Sequence, residues 1–331
     1  MSRPGLVLLS IVIVAGAASA CGGPSGPSAS TTGSTAPAAP PPVQVTTAGW
    51  TLPAPLSRTV ALADGSDIVV LGGLTQGDVS TSAVHKINPS TGTVAATGTL
   101  ARAVHDAAGA MFASRAVVFA GGASSTVATL QAWSSGTATV AGDLPTPRSD
   151  LASATVGNTA YVVGGFDGTT MQPTVLATQD GTTFRTAGSL AVPVRYPAVV
   201  TDGTYIWVVG GVTGTSEGST AYTDAIQRYD PATGRTTVVG HLPVPMGHAA
   251  AVDLGHQILI VGGHSASGAS SSILRLDPAT GQVTPVAQLP GPRSDAAAVV
   301  VGSTAYVLGG EVDGPTNPLT SVVELNVGAS R

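Results

Sequence analysis

A pair of adjacent glycines closes a short apolar run six times along this chain. The pairs are Gly72-Gly73, Gly121-Gly122, Gly164-Gly165, Gly210-Gly211, Gly262-Gly263 and Gly309-Gly310, spaced 49, 43, 46, 52 and 47 residues apart. The runs before them, such as DIVVLGG, TAYVVGG and QILIVGG, are too short for a helix and too uniformly apolar for a strand with one wet face. They predict strands buried on both sides. Before each lies an Ala-rich run, as in LASATV, HAAAVDL and SDAAAVVV, joined to it by a tight turn. After each pair come a variable polar loop, a third strand, a turn spelled YDPATG, LDPATG or INPSTG, and a fourth strand. In that turn Pro presets φ, Asp or Asn accepts local amide hydrogen bonds, and Gly takes the positive-φ position. Four short strands repeating at roughly 45 residues predict an all-β propeller, one blade per repeat.

The longest repeated phrase spans two of these units. LPTPRSDLASATVGNTAYVVGG from Leu144 and LPGPRSDAAAVVVGSTAYVLGG from Leu289 match at 15 of 22 positions without a gap. Small residues on the first strand suit a propeller, because innermost strands converge at the axis. With the glycine doublet ending the second strand and Y-D-P-x-T-G at the later turn, the units resemble kelch repeats across residues 43–331. The resemblance implies a kelch-type β-propeller with four antiparallel strands per blade. Kelch units usually carry a Trp shortly after that turn; here Thr236 takes the place in the fourth unit, and Phe184 is the nearest aromatic equivalent. Packing between blades is therefore expected to rest on Val, Leu and Ala. The last unit has one strand, SVVELNV, after Gly310 and lacks a fourth, whereas VQVTTAGWT from Val43 has no unit of its own. That N-terminal strand is expected to complete the last blade and close a six-bladed ring, removing an open edge.

Residues 1–20, MSRPGLVLLSIVIVAGAASA, read as a secretory signal: an early cation, a short apolar run, then small residues. The chain's only cysteine, Cys21, follows Ala18-Ser19-Ala20, which resembles a bacterial lipobox with Ala18 where leucine is usual. The resemblance implies lipidation at Cys21 and anchoring to the outer face of the cytoplasmic membrane; the alternative is ordinary cleavage leaving a free thiol. Residues 22–42 hold no charge and no aromatic, so residues 21–42 read as a flexible tether. The propeller then occupies 43–331.

Only 9 % of the residues are charged, the net charge is −5 and Lys86 is the one lysine. No basic patch is available to neutralise phosphates, so a nucleic-acid partner is not expected. The inter-blade corners and the loops after the doublets share one face, and tight hairpins make the other; variable loops are the usual binding surface. That face offers Arg58, His105, Arg148, Arg195, Tyr196, His248, Arg293, Glu217 and Glu311 as candidate ligand-binding residues. Kelch propellers with known partners often grip acidic peptides with corner arginines and serines, which points to Arg148, Arg195 and Arg293, whose planar forks suit carboxylates. The Arg148/Asp150 and Arg293/Asp295 pairs are equally open to a structural reading, each Arg locking blades through a corner Asp. Neither a cofactor nor a metal site is expected: no local ligand spacing joins the six histidines. The copper site of galactose oxidase, itself a kelch propeller, needs a cysteine that this domain lacks. TQDGTTF at Thr178 resembles the sialidase Asp-box, a structural turn in its own family. The expected function is a monomeric, membrane-tethered binding or scaffold module for a protein, peptide or glycan. The alternative is a carbohydrate-active enzyme, mutarotase- or epimerase-like, using the channel mouth for acid–base chemistry.

Overall fold

The computed structural model describes residues 40–216, 219, 221–312 and 317–328. These form six four-stranded antiparallel sheets with no helix among the described residues. From the axis outward, blade 1 is Val60–Asp64, Asp67–Leu71, Ala83–Asn88 and Thr93–Thr99. Blade 2 is Ala108–Phe112, Arg115–Gly122, Thr126–Ser134 and Thr137–Asp143. Blade 3 is Ala152–Val156, Thr159–Val163, Thr174–Thr178 and Arg185–Ser189. Blade 4 is Ala198–Thr201, Ile206–Val209, Ala225–Asp230 and Arg235–His241. Blade 5 is Ala250–Leu254, Gln257–Val261, Ser272–Leu276 and Val283–Gln288. Blade 6 is Ala297–Val301, Thr304–Leu308, Ser321–Val327 and, as its outermost strand, Val43–Thr51.

The first strand of the domain therefore closes the ring, Val43 pairing with Val327 and Thr47 with Val323. Its end is fixed by Leu52, whose amide donates to Thr320 O. Val43 opens this strand beside the tight hairpins, since its partner Val327 lies against Gly255 of a hairpin turn.

The second strands are apolar on both faces because each is sandwiched between blades. Ile68, Val69, Val70 and Leu71 are all fully buried, as are Ile206 and Val208 of blade 4. Six hydrophobic clusters result, one between each neighbouring pair of blades, and the cluster joining Leu56, Ile68 and Val70 to Tyr306, Leu308 and Val322 seals blade 1 to blade 6. Packing on Val, Leu and Ala without aromatics holds only between blades 5 and 6; aromatic side chains join the other five seams, as where Phe184 meets Phe119 edge-on at 5.6 Å between blades 3 and 2.

The doublet glycines are required by close approach. In five of the six doublets the first glycine has positive φ and lies against a carbonyl of the next corner, as Gly309 does against Leu56 O. Blade 2 corrects the sequence register. There Ala120, at φ 54°, takes the first-glycine position and Gly121 the second, since Gly121 N donates to Arg148 O as Gly73 N does to Val104 O. Gly122 falls one position later, where other blades carry a side chain.

Candidate ligand-binding site

Between blades the chain crosses from an outer strand to the next inner strand through a corner. At the equivalent position of the six corners stand Arg58, Asp106, Asp150, Tyr196, His248 and Asp295, all with φ between 49° and 60°. Their backbones close a cycle. Each amide donates to the carbonyl of the preceding ring residue, and Arg58 N donates to Asp295 O, at 2.8 to 3.1 Å. The left-handed conformation turns every chain inward at the same level, so all six side chains gather around the axis. Asp and His tolerate this region better than most residues, but Arg and Tyr do not. It costs roughly 1–2 kcal/mol for a residue bearing Cβ.

Several of these side chains bond across the axis. Tyr196 Oη, from the corner before blade 4, donates to Asp106 Oδ2 at 3.3 Å and accepts from Arg58 Nη1 at 3.4 Å. The Tyr196 ring also stacks on His248, with centroids 4.0 Å apart. His248 Nδ1 sits 2.7 Å from Asp295 Oδ1. The six ring residues border two cavities. One of about 120 Å³ is completed by the residues that follow them, Thr59, Ala107, Leu151, Pro197, Ala249 and Ala296. The other, of about 670 Å³, opens among the corners and loops. Tyr196, Arg58 and Asp106 thus act as the floor of a blind mouth.

The wall of the mouth is built from the residues just before the ring and those just after the doublets, which pair by isolated bridges: His105 with Gly122, Ser149 with Phe166, Arg195 with Val212, Gly247 with His264 and Ser294 with Glu311. The absent side chain at Gly122 makes room for the His105 ring, which occupies the space a Cβ there would need. His105 Nδ1 is 2.8 Å from Ser80 Oγ, and Tyr222 Oη is 2.8 Å from His264 Nδ1. Arg195 stacks over Phe166 at 5.1 Å, donates through Nη2 to Ser216 O and lies 3.6 Å from Asp150.

The charges are extensively paired. Arg58 donates to Glu311 Oε1 at 2.9 Å and to Asp106 at 3.2 Å, and Ser57 Oγ donates to the same Glu311 oxygen at 2.7 Å. Burial opposes the Arg58 charge, but Asp106, Asp295 and Glu311 outweigh it and raise its pKa. Burial likewise opposes protonation of His248, and Asp295 reverses the sign, so the imidazole titrates above its usual range. Asp295 is held at about 2 against the effect of burial by His248 and Arg58. Asp150 moves the other way. Burial, then Asp106, push it up to about 7, with Arg195 offsetting only part. A carboxyl poised near neutrality can hold or release a proton inside the mouth.

Of the residues expected on this face, the structure brings Arg58, His105, Arg195, Tyr196, His248 and Glu311 to one cavity. Arg148 and Arg293 are a correction to that set. They stand two residues before the ring, where the other blades have Leu56, Val104, Val194 and Met246, all buried. Their guanidiniums turn into their own blades. Arg148 donates to Gly164 O, Thr174 O and Thr174 Oγ1, and Arg293 to Gly309 O, Ser321 O and Ser321 Oγ. The structural alternative also changes in detail, since neither arginine pairs with a corner Asp. Glu217 and Cys21 lie outside the described residues. Phe166 and Tyr222 were not singled out from sequence. Their signal is positional: Phe166 follows a doublet, as Glu311 and His264 do.

A kelch motif matches residues 193–235 and 245–290, which carry most of blades 4 and 5. The solved structure of YjhT superposes with a TM-score of 0.72 at 15 % identity, covering 85 % of this chain and 97 % of that one. At that identity the likeness is one of fold. In sequence, the chain matches no curated protein.

Proposed function

We propose that this kelch-type β-propeller is a binding module, tethered outside the cytoplasmic membrane through a lipid on Cys21, whose mouth takes a protein, peptide or glycan ligand. One observation carries the reading. The ring backbone is six-fold repetitive while its side chains are not: Arg, Asp, Asp, Tyr, His and Asp occupy equivalent left-handed positions where glycine would relieve strain. The chain places glycine at most of its other positive-φ positions. Strain retained at a cavity is a pointer to function rather than to packing. The tether rests on the signal and lipobox residues, and the closing strand enters by the hairpin face, not by the mouth.

The test is retention of ligand by the full-length chain in detergent, on a glycan array and from envelope extract by cross-linking. An Arg195→Ala/Phe166→Ala variant dismantles one wall of the mouth, and cooperative melting checks its fold. Loss of the ligand with an intact melt supports the reading; undiminished retention refutes it. Asp150 favours one second reading, a carbohydrate-active enzyme that uses this carboxyl as acid–base group. Asp150→Asn would then abolish sugar anomer exchange followed by NMR, whereas a binder loses affinity in graded steps.

A further inference from the structure

Resting on the mouth as the ligand site, we infer that its ligand presents a cationic group, a primary ammonium, rather than an acid. The wall and floor carry five carboxyl groups, on Asp78, Asp106, Asp150, Asp295 and Glu311, against two guanidiniums. Both guanidiniums already have partners, although Arg195 Nε, buried against Phe166, has none of its own. Arg58 holds Glu311, Asp106 and the Tyr196 hydroxyl, and Arg195 holds Asp150 and a backbone carbonyl. The His248 imidazole is committed to Asp295. An incoming carboxylate would have to break one of these pairs while adding another negative charge to the cluster. An ammonium needs neither step, and its three donors suit a wall of acceptors.

Two independent features point the same way. Glu311 is fully buried at the wall of the mouth, Oε1 takes both protein donors, and Oε2 has no hydrogen-bond partner. A carboxylate oxygen left without a donor costs free energy that a ligand donor recovers. Asp78, exposed on the rim, has no ion-pair partner among the described residues. Asp150 supports the assignment: burial and then Asp106 oppose its ionisation, and Arg195, Ser149 and Tyr196 offset only part. A bound cation therefore favours its ionised form and releases a proton.

An ammonium comes from a lysine side chain or from an amino sugar, and paired probes separate the two. Calorimetry on the full-length chain in detergent compares Nα-acetyl-lysine amide with its Nε-acetylated form, and glucosamine with N-acetylglucosamine. Glucuronic acid and Nα-acetyl-glutamate amide serve as acidic probes. We expect one amine to bind at least about tenfold more tightly than its acetylated twin. Glu311→Gln and the rim variant Asp78→Asn, which cannot disturb the core, should each weaken it. With the lysine probe, whose amine stays charged, affinity should rise from pH 6 to 8 as Asp150 ionises.

The inference is overturned if acetylated or acidic probes bind as tightly as the amines. It is equally overturned if neither amine saturates at about 50 mM, a range that still detects very weak complexes. If an acidic or neutral probe binds and Arg195→Ala/Phe166→Ala abolishes it, the mouth remains the ligand site and only the cation assignment falls. If amine binding is indifferent to every mouth variant, the mouth itself is not the site.

Discussion

Replacing Arg148 and Arg293 separates structural arginines from ligand-binding ones. Arg148 is 1 % exposed and donates three hydrogen bonds, all to uncharged acceptors of its own blade. Burial lowers its pKa from 12.5 to about 10, and Asp167 only partly compensates. A shift of that size means the folded protein holds the charge less well than water by about 3 kcal/mol. Arg148→Met removes that penalty, keeps the long apolar stem and reproduces Met246 of the equivalent corner. It gives up three hydrogen bonds worth about 1 kcal/mol each net. The two effects nearly cancel, so Arg148→Met and Arg293→Met should each change stability by no more than about 1 kcal/mol. Arg148→Ala also deletes the stem and leaves a cavity, for a loss of about 3 kcal/mol. Urea unfolding with a shared m-value measures both, beside retention of whatever ligand the wild type holds. If Arg148→Met costs as much as Arg148→Ala, the hydrogen bonds outweigh the burial of charge and the ledger is wrong. If the double Met variant melts normally but releases the ligand, the arginines reach the ligand and their placement inside the blades is wrong.

Asp150 makes stability fall with pH. Its folded pKa of about 7 lies above the unfolded value of 3.8, so the folded chain keeps the proton longer and loses stability as pH rises from 4 to 7, levelling above that. Asp150→Asn should remove this slope, gaining about 4 kcal/mol over wild type at pH 8 and almost nothing at pH 4 in chemical denaturation. Gly309→Ala forces a Cβ onto Leu56 O at φ 57° and should cost at least about 3 kcal/mol, whereas Gly157→Ala, at the same φ with open space around it, should cost about 1. Thermal melts of the two variants give the comparison directly. Deleting Val43–Thr51 leaves Ser321–Val327 as an open edge, so the truncated chain should aggregate or melt in more than one step, seen by light scattering and calorimetry.

The blades were legible because backbone geometry at the doublets admits little but glycine, and because a strand between two blades must be apolar throughout. Blade 2 shows the limit. Ala120 accepts the left-handed position, so letters alone placed its doublet one residue late. The arginines misled for a related reason: Arg148 and Arg195 look equivalent beside a corner, yet Arg195 aligns with Ser149. Aligning the corners on Val60, Ala108, Ala152, Ala198, Ala250 and Ala297, the first residues of the inner strands, would have exposed this. It puts Arg148 and Arg293 in register with Leu56, Val104, Val194 and Met246, a position whose other occupants are core. The same alignment stacks Arg58, Asp106, Asp150, Tyr196, His248 and Asp295 in one column. Their shared left-handed turn remains beyond it, because a single unusual backbone angle in Arg or Tyr has no signature in composition or period. Only the closed cycle of amide-to-carbonyl bonds makes that angle obligatory. The cycle therefore fixes where the chain turns and leaves the side chains free to differ, and that freedom is where specificity must lie.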